Sequence, residues 1–172
     1  MFSRITRLAR VIGYAVLATA AIVTGIWIAK KYVVRERVVW TKNIAAGTAF
    51  PQDLHWQKGS NTLVLALKQD CPFCSESMNF YRRLISRSAE AQVRVIVLMP
   101  EEPSAARRYL SDAGVEVSEV KQVQLRSLGI QGTPTVYLVD GAGTIQREWR
   151  GRLTGVKEQE VLDLLANNFQ PK

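Results

Sequence analysis

The chain has 172 residues, 47% hydrophobic and 22% charged, which is room for one globular domain and an added segment. Its formal charge of +8 is unevenly spread: residues 1–42 hold eight Lys/Arg (Arg4, Arg7, Arg10, Lys30, Lys31, Arg35, Arg37, Lys42) against the single acid Glu36, while the rest carries 15 bases and 14 acids. The nearly neutral remainder argues against a phosphate-binding face, so nucleic acid is set aside as a partner.

Residues 1–10 form a basic N-terminus. The nineteen residues 11–29 carry no charge. As a helix they would reach roughly 28 Å, the hydrocarbon thickness of a bilayer, and are expected to be a transmembrane anchor. Tyr14 and Trp27 stand near its two ends, where amphipathic rings favour the interface. The flanking bases suit lipid headgroups. Three arginines precede the span and five Lys/Arg follow it, so charge alone balances nearly evenly between the two orientations or favours the opposite one. A short basic start before an apolar run has the form of an export signal, and the chain's two cysteines further on, Cys71 and Cys74, would find more disulfides to exchange with in an oxidising compartment. The expected arrangement is therefore single-pass, with the domain on the extracytoplasmic (periplasmic) side. The alternative is a cleaved signal at Ala18-Thr19-Ala20, but the apolar run continues nine residues past it.

Residues 30–59 read as a tether and lead-in segment, broken by Gly47 and Pro51 and without a sustained period. A domain is expected over residues 60–172. Strand and helix patterns alternate through it, which implies an α/β layer structure around a central sheet. The pattern predicts a strand at 62–68 and then a helix in which Cys74, Met78, Tyr81 and Ile85 share one face as core residues. A fully apolar strand follows at 93–99, interrupted only by Arg94. Pro100 to Pro103 open a helix that runs to about Ala113 and stops at Gly114. A short strand at 115–120 and a short helix at 123–128 come next. Gly132-Thr133-Pro134 leads into a strand at 135–139, and Asp140-Gly141-Ala142-Gly143 turns it into a strand at 144–150. An amphipathic helix at 157–169, with Val161, Leu164 and Leu165 on one face, closes the domain.

The chemistry lies in Cys71-Pro72-Phe73-Cys74, the only two cysteines, placed between a strand and a helix start. Unpaired N–H groups at a helix N-terminus favour thiolate over thiol, and thiolate is the species that attacks a disulfide. Cys71 is the candidate nucleophile. Cys74, one turn on, is the candidate resolving thiol, and the two form the redox-active disulfide. A zinc site would need two more ligands, whereas the chain offers one histidine, His55. Haem attachment would need histidine where Ser75 stands. A purely structural disulfide over so small a loop stabilises little. No metal and no cofactor is expected. The lack of a Pro-x-x-x-Thr-x-x-Cys arrangement argues against peroxide reduction, and the position of His55 in the lead-in argues against metal delivery.

The strand-Cys71-Pro72-Phe73-Cys74-helix unit, followed by Gly132-Thr133-Pro134-Thr135-Val136-Tyr137-Leu138-Val139-Asp140, a Gly-turn hairpin and a last helix, resembles the thioredoxin-fold thiol:disulfide oxidoreductases. The helix and strand between residues 99 and 132, with the N-terminal anchor, resemble the insertion and tether of their TlpA-like, membrane-anchored branch. The resemblance implies a thioredoxin-like fold: a central mixed sheet flanked by helices, with an inserted helix-strand element. It also implies a cis peptide bond before Pro134, beside the two sulfurs, with Thr133 pairing its backbone to a substrate segment. The implied partners are client proteins with disulfides or thiols and a membrane thiol electron donor, and a reductase is expected. An oxidase or isomerase, or a non-catalytic binding or assembly module, are the alternatives. Three departures stand out. Asp70 replaces the usual Trp and, with Glu76, adds negative charge near Cys71. Leu65 occupies the place of a buried acid that assists proton transfer. Pro72 and Phe73 form a bulky apolar pair between the cysteines.

Overall fold

A computed structural model describes residues 45–166 and, besides them, Thr24. The chain divides into two units between Thr41 and Lys42, and the described residues belong to the second except for Thr24. Among the described residues no helix is long and apolar enough to cross a membrane. The expected anchor at residues 11–29 falls, Thr24 apart, outside the described residues.

The elements in chain order are β1 (Thr62–Ala66), α1 (Pro72–Glu76), α2 (Met78–Glu90), β2 (Arg94–Met99), α3 (Pro103–Asp112), β3 (Glu119–Gln122), a 3-10 turn (Leu125–Leu128), β4 (Thr135–Val139), β5 (Ile145–Arg150) and α4 (Val156–Ala166). They build one five-stranded sheet in the order β3-β2-β1-β4-β5. β1 runs parallel to β2, and β2 to β3, whereas β4 lies antiparallel to both β1 and β5. The mixed sheet and the helix-strand element between β2 and β4 agree with the expectation.

β1 is apolar after Thr62 and buried at every position, because both faces of the central strand are covered. Leu63 and Leu65 face a cluster completed by Cys74, Tyr81 and Leu84, by Ala106 and Leu110 of α3, and by Val161 and Leu165 of α4. Val64 and Ala66 face the opposite cluster, which contains Phe50, Leu54, Leu125, Ile130 and Tyr137. Helices thus cover one face, while the lead-in segment contributes to covering the other. The lead-in is also stitched to the hairpin by Phe50 N–H donating to Gly143 O at 2.8 Å and Ile145 N–H to Thr48 O at 2.9 Å. Gly141 is required there, since a Cβ would stand 2.3 Å from Gln57 O. Arg94, the one charge in β2, pairs with Glu119 through two guanidinium nitrogens and donates to Leu54 O and His55 O at 2.9 and 3.0 Å. His55 itself is exposed in the lead-in, its N–H donated to Asp53.

Two elements differ from expectation. The helix after Cys71 is divided at Ser77, whose Oγ donates to Phe73 O at 2.7 Å and whose N–H donates to Cys74 O, three residues back. Such back-bonding from serine competes with the helical ladder and bends it. The third strand begins at Glu119, not at 115. Val115 instead completes the C-terminal cap of α3, donating its N–H to Leu110 O at 2.9 Å after Gly114 turns left-handed at φ 72°. Its apolar side chain is consumed by that cap and buried.

Candidate active site

Parallel β1 and β2 end on the same edge of the sheet, and the loop from β1 delivers Cys71 there as the residue preceding α1. Pro72 takes the first helical position, where its missing N–H costs no bond. The loop is held by Cys71 N–H to Lys68 O at 3.2 Å and by Gln69 N–H to the Glu101 carboxylate at 3.0 Å. Cys71 is half-buried and Cys74 fully buried, and both are free thiols.

The peptide bond between Thr133 and Pro134 is cis, as the resemblance implied. The segment entering β4 meets the dithiol directly: the Cys71 thiol donates to Thr133 O at 3.2 Å. Cys71, Cys74, Thr133 and Pro134 are thereby brought together across 62 residues of chain.

The two sulfurs have opposite electrostatics. Burial pulls Cys71 upward, but hydrogen bonding from the side chains of Thr133 and Cys74 and from the Cys74 and Phe73 backbone outweighs it, and the net direction is below the ordinary thiol value. The S–H bond to Thr133 O belongs to the thiol; on ionisation it is lost and these donors hold the charge. Burial pushes Cys74 up to about 12, with further upward contributions from Cys71. A half-exposed thiol that ionises more readily therefore stands in front of a buried thiol that stays protonated.

The remaining sequence-marked residues surround this pair. Asp70 is 81% exposed and lies 3.7 Å from Lys68 Nζ, so solvent and a counter-ion screen it from Cys71. Glu76 is paired with Arg152. Phe73 is 56% exposed, one of two large apolar side chains in that state among the described residues. Leu65 is fully buried between Val97 and Val136, so the strand position of the absent acid is apolar on both sides. Sequence reasoning missed two contributors. One is the Thr133 side chain, for which only a backbone role was expected. The other is Tyr109 on α3, whose hydroxyl lies 3.0 Å from Ser75 Oγ and which packs with Cys71 against the core. Tyr109 is 34 residues from Ser75, and no local pattern announces the meeting.

Comparison with known proteins agrees with this geometry. The chain matches the family model of the thioredoxin-like domain over residues 55–166, and it belongs to that family. No curated protein matches it. Among solved structures it is similar to the thioredoxin domain of a thiol-disulfide oxidoreductase from Bacteroides vulgatus, with a TM-score of 0.55 at 15% identity, over 73% of this chain and 99% of that one. A thiol:disulfide interchange protein from Bacteroides sp. gives a TM-score of 0.55 at 14% identity, over 73% and 93%. A thiol-disulfide isomerase from Corynebacterium glutamicum gives 0.52 at 17%, over 72% and 94%. At these identities the likeness is one of fold.

Proposed function

We propose that the protein is a membrane-anchored thiol:disulfide oxidoreductase, acting as a reductase of client proteins on the extracytoplasmic side. The observation that carries the exchange chemistry is the contact of Cys71 Sγ with Thr133 O, at 3.2 Å, beside the cis bond to Pro134. It leaves one sulfur accessible and ionisable, next to backbone that an extended client segment can pair with.

In the reducing direction the Cys71 thiolate attacks one sulfur of a client disulfide. The client S–S bond breaks, its other sulfur leaves as a thiolate and takes up a proton, and a Cys71-client disulfide remains. Cys74 then gives up its proton and attacks the Cys71 sulfur, releasing the second client thiol. The client gains two electrons and Cys71 and Cys74 become a disulfide, which a membrane thiol donor reduces again. Leu65 supplies no acid to relay the Cys74 proton, so the departing client thiolate, itself a base, is the acceptor this reading assigns.

The uncharged run at residues 11–29 supports the anchor, and the export-signal form of the N-terminus supports the orientation. The reducing direction rests on the resemblance to the TlpA-like branch. Expressed in its host, Cys74→Ser is expected to accumulate disulfide-linked client adducts through Cys71. If no adducts form while client binding survives Cys71→Ser, the protein is a binding module. Equilibration with glutathione reads the direction: a potential near about −270 mV fits a reductase and one near about −120 mV an oxidase.

A further inference from the structure

A cleft of about 450 Å³ lies beside the dithiol, lined among others by Lys68, Gln124, Leu125, Arg126 and Thr133. Because Thr133 O touches Cys71 Sγ, the cleft begins within one hydrogen bond of the nucleophile. A client segment paired with the Thr133 backbone, as the proposed function has it, passes this opening.

The charge of the cleft has one sign. Its charged lining residues are Lys68 and Arg126, with no carboxylate among them. Lys68 has a weak partner in Asp70, at 3.7 Å with both side chains largely exposed. Arg126, on the 3-10 turn, has no side-chain hydrogen bond or ion pair among the described residues. An unpaired guanidinium offers a planar fork of donors that fits a carboxylate. Phe73 adds an exposed apolar surface next to Cys71.

We propose that this cleft selects client polypeptides carrying an acidic side chain close to the reacting cysteine. The inference rests on the thiol-exchange reading and names its substrate class. Arg126 holds the carboxylate, Lys68 adds long-range attraction, and the client cysteine is thereby presented to Cys71.

The test uses the full-length reduced chain in detergent and two peptides identical except for Glu or Lys on either side of a single cysteine. Each peptide is supplied as its mixed disulfide with 2-thiopyridine. Cys71 attacks the peptide sulfur, thiopyridone leaves with the electron pair and takes a proton, and its absorbance reports the rate. The Glu peptide is expected to react about fivefold faster than the Lys peptide at low salt, and the ratio to shrink as salt rises. In Arg126→Glu the order of the two peptides is expected to reverse, and in Arg126→Gln the ratio to fall toward one. Because each ratio is internal to one protein, partial loss of folded material does not disturb it. A wild-type ratio near one overturns the acid preference and leaves exchange standing, whereas failure to open either peptide overturns both. If the corresponding glutathione adduct outpaces the Glu peptide, the occupant is a small thiol and the assignment to client polypeptides falls.

Discussion

Removing one cysteine at a time separates two reactivities that the fold sets far apart. In Cys74→Ser the remaining thiol is Cys71, half-buried; the new hydroxyl replaces the Cys74 thiol as a donor and the Thr133 and backbone donors persist, which keeps it below its ordinary value of 9.0. In Cys71→Ser it is Cys74, fully buried and pushed up to about 12. The gap is at least about three pKa units. Above the working pH, each unit costs about tenfold in thiolate fraction but returns about threefold in intrinsic nucleophilicity, a net loss of about threefold. Three units amount to about thirtyfold. Burial is the largest cause of the Cys74 shift and persists in the variant, but the contribution from Cys71 disappears with it. A floor of about tenfold leaves room for that loss, and poor access to Cys74 widens the gap again. Iodoacetamide labelling at neutral pH, followed by mass spectrometry, measures both rates. Cys71 is expected to label at least about tenfold faster in the folded protein, and the two variants to converge in denaturant. Equal rates in the folded state, or a faster Cys74, would refute the assignment of nucleophile and resolving thiol.

Two further outcomes follow from the same geometry. Thr133→Val keeps the carbonyl but removes the hydroxyl that favours the Cys71 thiolate, so the midpoint of the pH profile for Cys71 labelling in Cys74→Ser is expected to rise. The sign follows because losing a donor to the charged form destabilises that form, and an unmoved midpoint counts against a role for the side chain. Leu54→Ala empties a fully buried site under the sheet and is expected to cost about 2–5 kcal/mol in urea unfolding. A loss below about 1 kcal/mol would mean that the lead-in is not part of the cooperative core.

What could be read without coordinates was local. A continuous apolar run, a proline at the start of a helix and two cysteines one turn apart each depend on near neighbours in the chain, and β1, α1 and the dithiol appeared where those signals lie. The hairpin turn was legible for the same reason: Asp140 Oδ1 accepts from Ala142 N–H and Thr144 N–H, both at 2.9 Å. Expectation drifted where one residue type serves two purposes. Val115 looked like strand but closes a helix, and Ser77 looked like helix interior but bends it.

The amino-acid order thus determined where the two cysteines stand and on what kind of local scaffold, because capping and hydrophobic period act over a few residues. Long-range packing settled the rest. Phe50 and Leu54, in a stretch with no period of its own, help cover one face of the sheet, and Thr133 reaches Cys71 from 62 positions away. Tyr109 meets Ser75, and Arg126 comes to line the cleft beside Thr133, only when helix and turn dock on the sheet edge. Burial lifts Cys74 and donors around Cys71 lower it, and both depend on neighbours supplied by folding. The chemical difference between two identical side chains is therefore a property of the packed domain.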